Sequence, residues 1–425
     1  MKPVPEMRSP ATQLDKPTVA IFVEPLLSPT MTFVRAQAAA LRNFAPLYVS
    51  PQRSWPTLEL PPDRIVAISG KPGGNSPLQK LKQLPLKVFG NDPLFFRRIA
   101  RFHPVLVHAH FGPAALTALP LARFLRVPLI ATFHGFDATM SDEATRKDPA
   151  YRHRVYLRRK HILKRDGALF IAVSRFIERQ LLEQGFASEK IALHYTGIDT
   201  GFFHPDDSVV REPLVLFVAR LTEKKGCEYL IRAMAEVQSV EPHVDLVLIG
   251  DGPLRPSLER MAQSRLRKFQ FLGAQPPEIV RKWMNRARVF SVPSVRAVSG
   301  DGEGFGMVFA EAQAMKLPVA SFDSGGVPEA VAHGETGLLA SERDSRSLAQ
   351  NILLLLQNEA LWQRMSVAGH LRVRSLFNLR TQTPLLESLY HRVLGWPPLF
   401  AETLPEKLPE NRLESLPRSS AVQAS

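Results

Sequence analysis

Leu214-Val215-Leu216-Phe217-Val218-Ala219-Arg220-Leu221-Thr222-Glu223-Lys224-Lys225-Gly226 decides the fold. Its five leading apolar residues predict a strand buried on both faces, of the kind found in parallel sheets covered by helices. A polar turn follows and ends at a glycine, and Glu228 to Gln238 then predicts a helix. Just before the run, His204-Pro205-Asp206-Asp207 is polar and proline-containing, which marks a boundary, so the strand–turn–helix pattern restarts here.

The pattern extends in both directions. Upstream, strands are expected at Val19–Val23, Leu47–Val49, Arg64–Ile68, Val105–His110, Pro128–Phe133 and Ala168–Val173, with helices at Met31–Arg42 and Arg175–Gln184, the latter opened by Ser174. Downstream, strands are expected at Val244–Ile249, Phe269–Leu272, Val289–Pro293 and Pro318–Phe322, with helices at Leu254–Arg265, Val308–Lys316 and Ser345–Gln357. Continuous apolar strands alternating with helices give an α/β protein, and the restart divides it into two Rossmann-like domains, 17–205 and 206–380, facing a central cleft. Residues 1–16 are expected to be a flexible lead and 397–425, rich in Pro, Glu, Ser and Arg, a disordered tail.

At 425 residues the chain is long enough for two such domains, and 45% hydrophobic with 22% charged residues is ordinary globular composition. One cysteine, Cys227, excludes an intramolecular disulfide and is compatible with a reducing compartment. The polar start Met1 to Lys16 does not resemble a signal peptide, and Arg123 and Arg126 interrupt the apolar run Leu116–Leu125, which is too short to span a bilayer. The formal net charge of +14 is uneven: residues 1–205 carry 28 Lys and Arg against 15 Asp and Glu, and residues 206–425 carry 26 against 25. The excess gathers in Lys80, Lys82, Lys87, Arg97, Arg98 and Arg101, then in Arg152, Arg154, Arg158, Arg159, Lys160, Lys164 and Arg165. Interleaved Leu, Phe and Tyr residues suit an anionic membrane surface; the charge alone would also suit nucleic acid, and solvated helix faces are the plainest alternative.

The chemistry concentrates in Gly300-Asp301-Gly302-Glu303-Gly304-Phe305-Gly306-Met307-Val308-Phe309-Ala310-Glu311-Ala312. Glu303 lies in a glycine-rich turn and Glu311 in the first turns of the expected helix. Glycines let backbone N–H groups approach a ligand, and a helix N-terminus favours an anion. A carboxylate on each side of such a cradle suits a ligand with both phosphate and hydroxyl groups, and a sugar nucleotide is one. The bland alternative is a surface turn followed by a helix with solvated glutamates.

Taken with Phe217 to Gly226, Ser324-Gly325-Gly326-Val327-Pro328-Glu329 and Gly334-Glu335-Thr336-Gly337, this run resembles the donor-binding half of the retaining family 4 (group 1) glycosyltransferases of the GT-B fold, closest to the exopolysaccharide, colanic-acid-type branch. The resemblance extends from Thr18 to Val393 and is most specific from Leu214 to Gly337. It implies that the first domain binds the acceptor and the second the donor, and that a last helix, Leu385–Leu394 within 381–396, crosses back to the first domain. Arg220 and Lys225 would be the cations for the donor diphosphate. Glu311 would hold the nucleotide ribose, and Glu303 the donor sugar hydroxyls. Backbone N–H groups of Gly304, Phe305, Gly306 and Met307 would meet the sugar and distal phosphate. Thr132-Phe133-His134-Gly135-Phe136-Asp137 resembles the family's His-Gly-x-Asp element. It would place His134 by the anomeric centre or the sugar 6-hydroxyl, with Asp137 orienting His134 or touching the acceptor. The loop Glu24 to Val34 departs from the Gly-Gly turn of many members and looks like the Ser-x-Thr-Phe variant of the exopolysaccharide branch.

His108 and His110, at i and i+2 with no third ligand nearby, point to packing or hydrogen bonding rather than metal binding. No Asp-x-Asp triplet is present, so no metal or other cofactor is expected, with Arg220 and Lys225 supplying the positive charge. The expected activity is retaining transfer of a hexosyl unit from a nucleoside diphosphate sugar to a glycan or lipid-linked saccharide in cell-surface or exopolysaccharide synthesis. The expected place is the cytoplasm, peripheral at the inner face of the membrane, with no nucleic-acid partner. The alternatives are another GT-B enzyme, such as a sugar-nucleotide epimerase or a phosphorylase, and a non-catalytic scaffold binding membrane or nucleic acid; intact Arg220, Lys225, Glu303 and Glu311 argue against the scaffold.

Overall fold

The computed structural model describes residues 16–27, 31–52, 58–69, 86 and 91–399. Two all-parallel sheets organise them. The first holds β1 (Thr18–Phe22), β2 (Ala45–Gln52), β3 (Ile65–Ser69), β4 (Pro104–His110), β5 (Leu129–Phe133), β6 (Leu169–Ala172) and β7 (Ile191–Leu193), in the order β3-β2-β1-β4-β5-β6-β7. The second holds β8 (Leu214–Val218), β9 (Asp245–Ile249), β10 (Phe269–Phe271), β11 (Val289–Phe290), β12 (Val319–Asp323) and β13 (Gly337–Ser341), in the order β10-β9-β8-β11-β12-β13. Every residue of β1, β5 and β6 is buried, as continuous apolar strands between two helical layers require.

Strand order reverses direction between β1 and β4, and again between β8 and β11. In doubly wound sheets the crevice at such switch points, outside the carboxyl ends of the strands, receives ligands. His110 ends β4, the loop leaving β5 carries His134, and those leaving β8 and β11 carry Lys225 and Glu303.

The last helix spans Leu379–Leu394, six residues earlier than its expected start, with Pro384 inside it. Leu386 and Tyr390 are buried in one cluster with Val19, Ile21, Leu106 and Ile130 of the first sheet. Its fully buried Glu387 accepts hydrogen bonds from the Arg42 and Asn43 N–H groups at 2.6 and 2.7 Å and from Asn43 Nδ2 at 2.8 Å. A chain that leaves the second sheet thus ends packed on the first.

The described residues of the basic clusters lie on helices. On Pro93–Ala100, Phe95, Phe96 and Ile99 are buried while Arg97 and Arg98 face outward, and on Tyr151–Asp166, Tyr156 is buried. Several of the aromatic residues interleaved with charge are therefore core residues; Tyr151 remains exposed. Lys80, Lys82 and Lys87 lie outside the described residues. Among the described residues no helix is long and apolar enough to cross a membrane.

Candidate active site

On the first-domain side, β4 and β5 run in register with His110 beside Thr132, which brings three histidines together. His108 bonds the Tyr390 hydroxyl through Nδ1 and Thr132 Oγ1 through Nε2, each at 2.7 Å. It therefore serves as a packed, hydrogen-bonded core residue. His110 Nδ1 lies 3.0 Å from His134 Nε2. Burial, and then the neighbouring imidazoles, hold His110 well below the usual histidine range and His134 down to about 3. Both rings are neutral at physiological pH, and the two facing nitrogens share a single proton. His134 packs between Phe33 and Phe111, with ring centroids at 5.0 and 4.7 Å. Phe111 adopts a left-handed φ of 73°, an uncommon conformation for a bulky residue and one that clusters at functional sites.

Asp137 meets His134 through the backbone. Its Oδ1 accepts from the His134 and Gly135 N–H groups at 3.1 and 3.0 Å, and its Oδ2 from the Gly112 N–H at 3.0 Å. The first turn of the helix Phe136–Thr139 folds this carboxylate back onto the backbone. It fixes the loop that carries His134 and makes no bond to the imidazole. Burial outweighs the three N–H donors and pushes Asp137 up to about 6.

On the second-domain side, Lys225 pairs with the buried Glu303 carboxylate through Oε2, which also accepts from Ser294 Oγ at 3.2 Å. Burial alone would raise Glu303; Lys225 and Lys224 together overcome it and hold the carboxyl down at about 2. Lys224 itself pairs with Asp301 at 3.0 Å. Arg220 is exposed and has no ion-pair partner among the described residues. The structure therefore brings Lys225 to Glu303 and leaves Arg220 apart.

The helix after Glu303 runs Met307–Ala314, capped by Gly306 at φ 80°. Among the described residues, the N–H groups of Gly304, Phe305, Gly306 and Met307 have no protein acceptor. The first N–H groups of a helix have no intrahelical partner, so four unpaired donors in a row at a helix head form a cradle for an anion. Glu311 is half-buried and its carboxylate has no hydrogen-bond partner among the described residues; burial pushes it up to about 7.

The two sides touch. A Cβ at Gly304 would stand 2.0 Å from the His134 carbonyl oxygen, and one at Gly326 would stand 2.1 Å from the Gly304 carbonyl oxygen, so only glycine allows this approach. Ser174 Oγ donates to the Gly304 carbonyl at 2.5 Å, and the Gly302 N–H donates to Thr139 Oγ1 at 3.1 Å. Glu329, from the Gly-Gly-Val-Pro-Glu run, crosses to the first domain. It accepts from the Arg175 and Phe176 N–H groups at 2.7 and 2.9 Å, at the head of the helix Arg175–Glu183, and from the Tyr195 hydroxyl at 3.2 Å.

These three bonds hold the halves together at a helix N-terminus, where a carboxylate is favoured. Glu329→Ala is expected to enlarge the ligand-free radius of gyration in small-angle scattering and to lower stability by about 1–3 kcal/mol. An unchanged radius of gyration would mean that the contact does not hold the cleft closed.

Sequence reasoning missed Ser294, Thr139, the acceptor role of Glu329 and the bond from His110 to His134. The spacing of His108 and His110 pointed to hydrogen bonding without naming a partner. No local signal could pair Glu329 with residues 154 positions away.

Two family models cover most of the chain: Glycosyltransferase Family 4 matches residues 30–202, and Glycosyl transferases group 1 matches 212–358. The chain is similar to the amylovoran biosynthesis glycosyltransferase AmsK of Erwinia amylovora, at 31% identity over 64% of this chain and 66% of that protein. It is similar to WcaL of Salmonella typhimurium, provisionally described as a colanic acid biosynthesis glycosyltransferase, at 32% identity over 57% of this chain and 59% of that one. A GDP-mannose-dependent alpha-(1-6)-phosphatidylinositol monomannoside mannosyltransferase of Mycolicibacterium smegmatis is 31% identical over 61% of this chain and 69% of its own length. The similarity thus spans about three fifths to two thirds of the curated relatives' lengths. Among solved structures, Anabaena HepE in complex with UDP and glucose superposes with a TM-score of 0.69 at 19% identity, over 87% of this chain and 98% of that one, which establishes the shared fold.

Proposed function

We propose, for a chain that belongs to the family 4 (group 1) glycosyltransferases, that it transfers a hexosyl unit with retention from a nucleoside diphosphate sugar to a hydroxyl of a glycan, lipid-linked, acceptor in exopolysaccharide synthesis. The observation that carries this reading is the cradle of four unpartnered N–H groups from Gly304 to Met307. It lies between the Lys225–Glu303 pair and the unpartnered Glu311, with the loop of His134 against it.

Each group has a role set by its chemistry. The four N–H donors and Lys225 neutralise the diphosphate as charge develops on it, and Arg220, without a carboxylate partner among the described residues, adds its charge from the loop after β8. Glu311, as an acceptor with two oxygens, takes the vicinal hydroxyls of the ribose. Glu303 faces the donor sugar hydroxyls, and its bond to Lys225 keeps it ionised. Neutral His134 offers the sugar one hydrogen-bonding nitrogen, with the other committed to His110. Acceptor hydroxyl and leaving phosphate share one face of the sugar, and the departing phosphate takes the acceptor's proton, so no protein nucleophile is required. Closure of the two halves excludes water and protects the donor from hydrolysis.

The reaction is proposed to run without a metal, because protein cations and backbone donors already face the diphosphate; loss of transfer in EDTA, restored by a divalent cation, would overturn this. The proposed place is the cytoplasmic face of the membrane. The relatives' names include a GDP-mannose-dependent enzyme and the similar structures include one holding UDP-glucose, so both bases enter the test. UDP-, GDP- and ADP-sugars are screened by thermal shift. A nucleotide at 100 times its dissociation constant stabilises by about 2.7 kcal/mol. A response to one base class, lost in Glu311→Ala, supports the donor site, and no response to any of them overturns it. Product analysis with and without acceptor separates transfer from epimerisation and phosphorolysis.

A further inference from the structure

The cradle loop reads Gly302-Glu303-Gly304-Phe305-Gly306, and Phe305 is the one apolar side chain in it. Glycines on both sides give the backbone there no conformational preference of its own. Between Glu303 and the helix start at Met307, the Phe305 ring is the loop's side-chain anchor, so what holds that ring aims the N–H groups of Gly304, Phe305 and Gly306. We propose that Phe305 is a positioning residue whose ring makes the cradle conditional on closure of the two domains. This rests on the reading of the cradle as the donor site.

The ring is buried against two others. Its centroid lies 5.5 Å from that of Tyr195 and 4.9 Å from that of Phe377, and those two meet at 5.1 Å. Tilted and edge-on contacts at such separations are the favourable arrangement of aromatic rings. The two partners stand where the chain crosses between the domains. Tyr195 follows β7 on the way out of the first domain, and Phe377 lies on the way back, between the helices Glu359–Leu376 and Leu379–Leu394. The crossings bond each other here: the Ile198 N–H donates to the Phe377 carbonyl at 2.8 Å, and the Leu379 N–H to the Ile198 carbonyl at 2.9 Å.

The seam between the domains runs through this trio. The helix Glu359–Leu376 is fastened to the second domain: Ser366 Oγ donates to the Lys316 carbonyl at 2.8 Å, and His370 Nδ1 lies 2.7 Å from the Ala314 carbonyl, at the far end of the helix Met307–Ala314 that the cradle begins. Phe377 therefore stays beside Phe305 when the domains part. Arg372 adds to this, with its guanidinium 5.5 Å above the Phe377 ring and Nη2 donating to the Glu329 carbonyl at 2.9 Å. Tyr195 belongs to the first domain and leaves with it. Opening withdraws one wall of the ring's pocket, exposes apolar surface, and frees a glycine-flanked loop to turn its N–H groups out of line. The linkage is reciprocal: a nucleotide on those N–H groups holds Phe305 in place, and through it Tyr195 and the closed seam. Release of the nucleotide product then accompanies opening.

The test uses the full chain and two readouts. Hydrogen exchange of the ligand-free protein follows the Gly326 and Phe309 amides, which donate to the Glu303 and Gly306 carbonyls at 2.8 and 2.9 Å and so report the order of the loop. Calorimetry with UDP, GDP and ADP reads the donor site. Phe305→Leu, Tyr195→Leu and Phe377→Leu are each expected to speed exchange at both amides and to weaken nucleotide binding about 5–150-fold, the usual range for coupled equilibria, although neither Tyr195 nor Phe377 is part of the cradle. Tyr195→Phe, which keeps the ring and gives up only the hydroxyl bond to Glu329, should lose less affinity than Tyr195→Leu. Phe96→Leu removes a buried ring from the first domain away from the seam and should move neither readout. Unchanged exchange in Tyr195→Leu, unchanged affinity in both Tyr195→Leu and Phe377→Leu, equal losses in Tyr195→Phe and Tyr195→Leu, or matching effects in Phe96→Leu would each overturn the assignment. The donor reading fails separately: it falls if the wild type binds none of the three nucleotides, while faster exchange in the ring variants would still tie Phe305 and its loop to the seam.

Discussion

Lys225→Met is expected to abolish sugar transfer and, in the same variant, to lower unfolding free energy by about 3–5 kcal/mol, the usual cost of stranding one member of a buried ion pair. Glu303 is buried and its carboxylate depends on Lys225 and Ser294 for compensation. Removing the ammonium leaves a carboxylate without its main partner, and the isosteric methionine fills the space without replacing the charge. The double variant Lys225→Met/Glu303→Gln is expected to recover most of the stability, because the uncompensated charge is gone, and none of the transfer, because the diphosphate has lost its cation. Recovery of both in the double variant would show that Lys225 acts only through Glu303. The pH dependence follows the same pair. The folded pKa of Glu303, about 2, lies below its ordinary 4.5. The stability it contributes is therefore present above about pH 4.5 and is lost as pH falls from there toward 2. Urea unfolding across that window should show an acid limb in the wild type that is shallower in Glu303→Gln.

How much of this was legible depends on the range over which the determining contacts act. Buried parallel strands declare themselves by their own apolar residues, and Leu214–Val218 and the helix Ser345–Gln357 fall at the expected bounds. Val289–Pro293 instead contributes only Val289–Phe290 to the sheet. The apolar pattern continues, but Ser291 makes the last ladder bond, to the Leu216 carbonyl at 2.9 Å, and Pro293 has no N–H to offer. The last helix begins at Leu379 because Asn378 caps it by accepting from the Arg380 N–H, a local signal the apolar run beginning at Leu385 obscured. The helix Met31–Arg42 shortens to Thr32–Ala39; Met31 supplies no side-chain cap at its start, and the Ala40 N–H closes its end on the Ala36 and Ala38 carbonyls.

At the site, what was legible was what a short run carries by itself: the glycine turn, the helix head, the cation-bearing loop and the strand-end histidine. What was not legible was how these runs engage one another. Lys225 and Glu303 are 78 residues apart, and the family resemblance assigns one to phosphate and the other to sugar; only the fold shows that they neutralise each other. Gly304 is readable as a close-approach glycine, but what it approaches is the His134 carbonyl of the other domain. Asp137 sits in a motif that ties it to His134 without saying how, and the short helix that begins beside it turns the carboxylate to three backbone donors, the His134 N–H among them. Motif spacing fixes which residues share a loop; the direction of each side chain is set by the packing of that loop against distant chain.

Glu311→Gln is expected to stabilise the ligand-free protein while destroying its affinity for nucleotide. Burial raises the folded pKa of Glu311 to about 7 from an ordinary 4.5, and no donor among the described residues compensates the charge. A raised carboxylate pKa means that the folded state holds its proton more tightly than the unfolded state. The associated stability is fully present below about pH 4.5 and is lost as pH rises through 7. At pH 8 the wild type bears the cost of an uncompensated carboxylate, reduced by the solvent that reaches its half-buried side chain, and glutamine, which is never ionised, should be more stable by about 1–2 kcal/mol. Near pH 4.5 the two should unfold alike. The same burden gives the site its use. Two ribose hydroxyls donating to the ionised carboxylate satisfy what the protein leaves unsatisfied, so nucleotide binding should release a proton and strengthen as pH rises from 6 to 8. Glutamine retains one acceptor oxygen and turns an amide toward the second hydroxyl, so affinity should fall about 10–100-fold, as for loss of a charge-assisted hydrogen bond, and its pH dependence should vanish. Calorimetry in buffers of differing ionisation enthalpy reads the released proton directly. Binding that weakens as pH rises, or a Glu311→Gln protein less stable than wild type at pH 8, would remove Glu311 from the ribose site. The expected opposition between stability and binding is what distinguishes a carboxylate held unpaired for a ligand from one that merely packs.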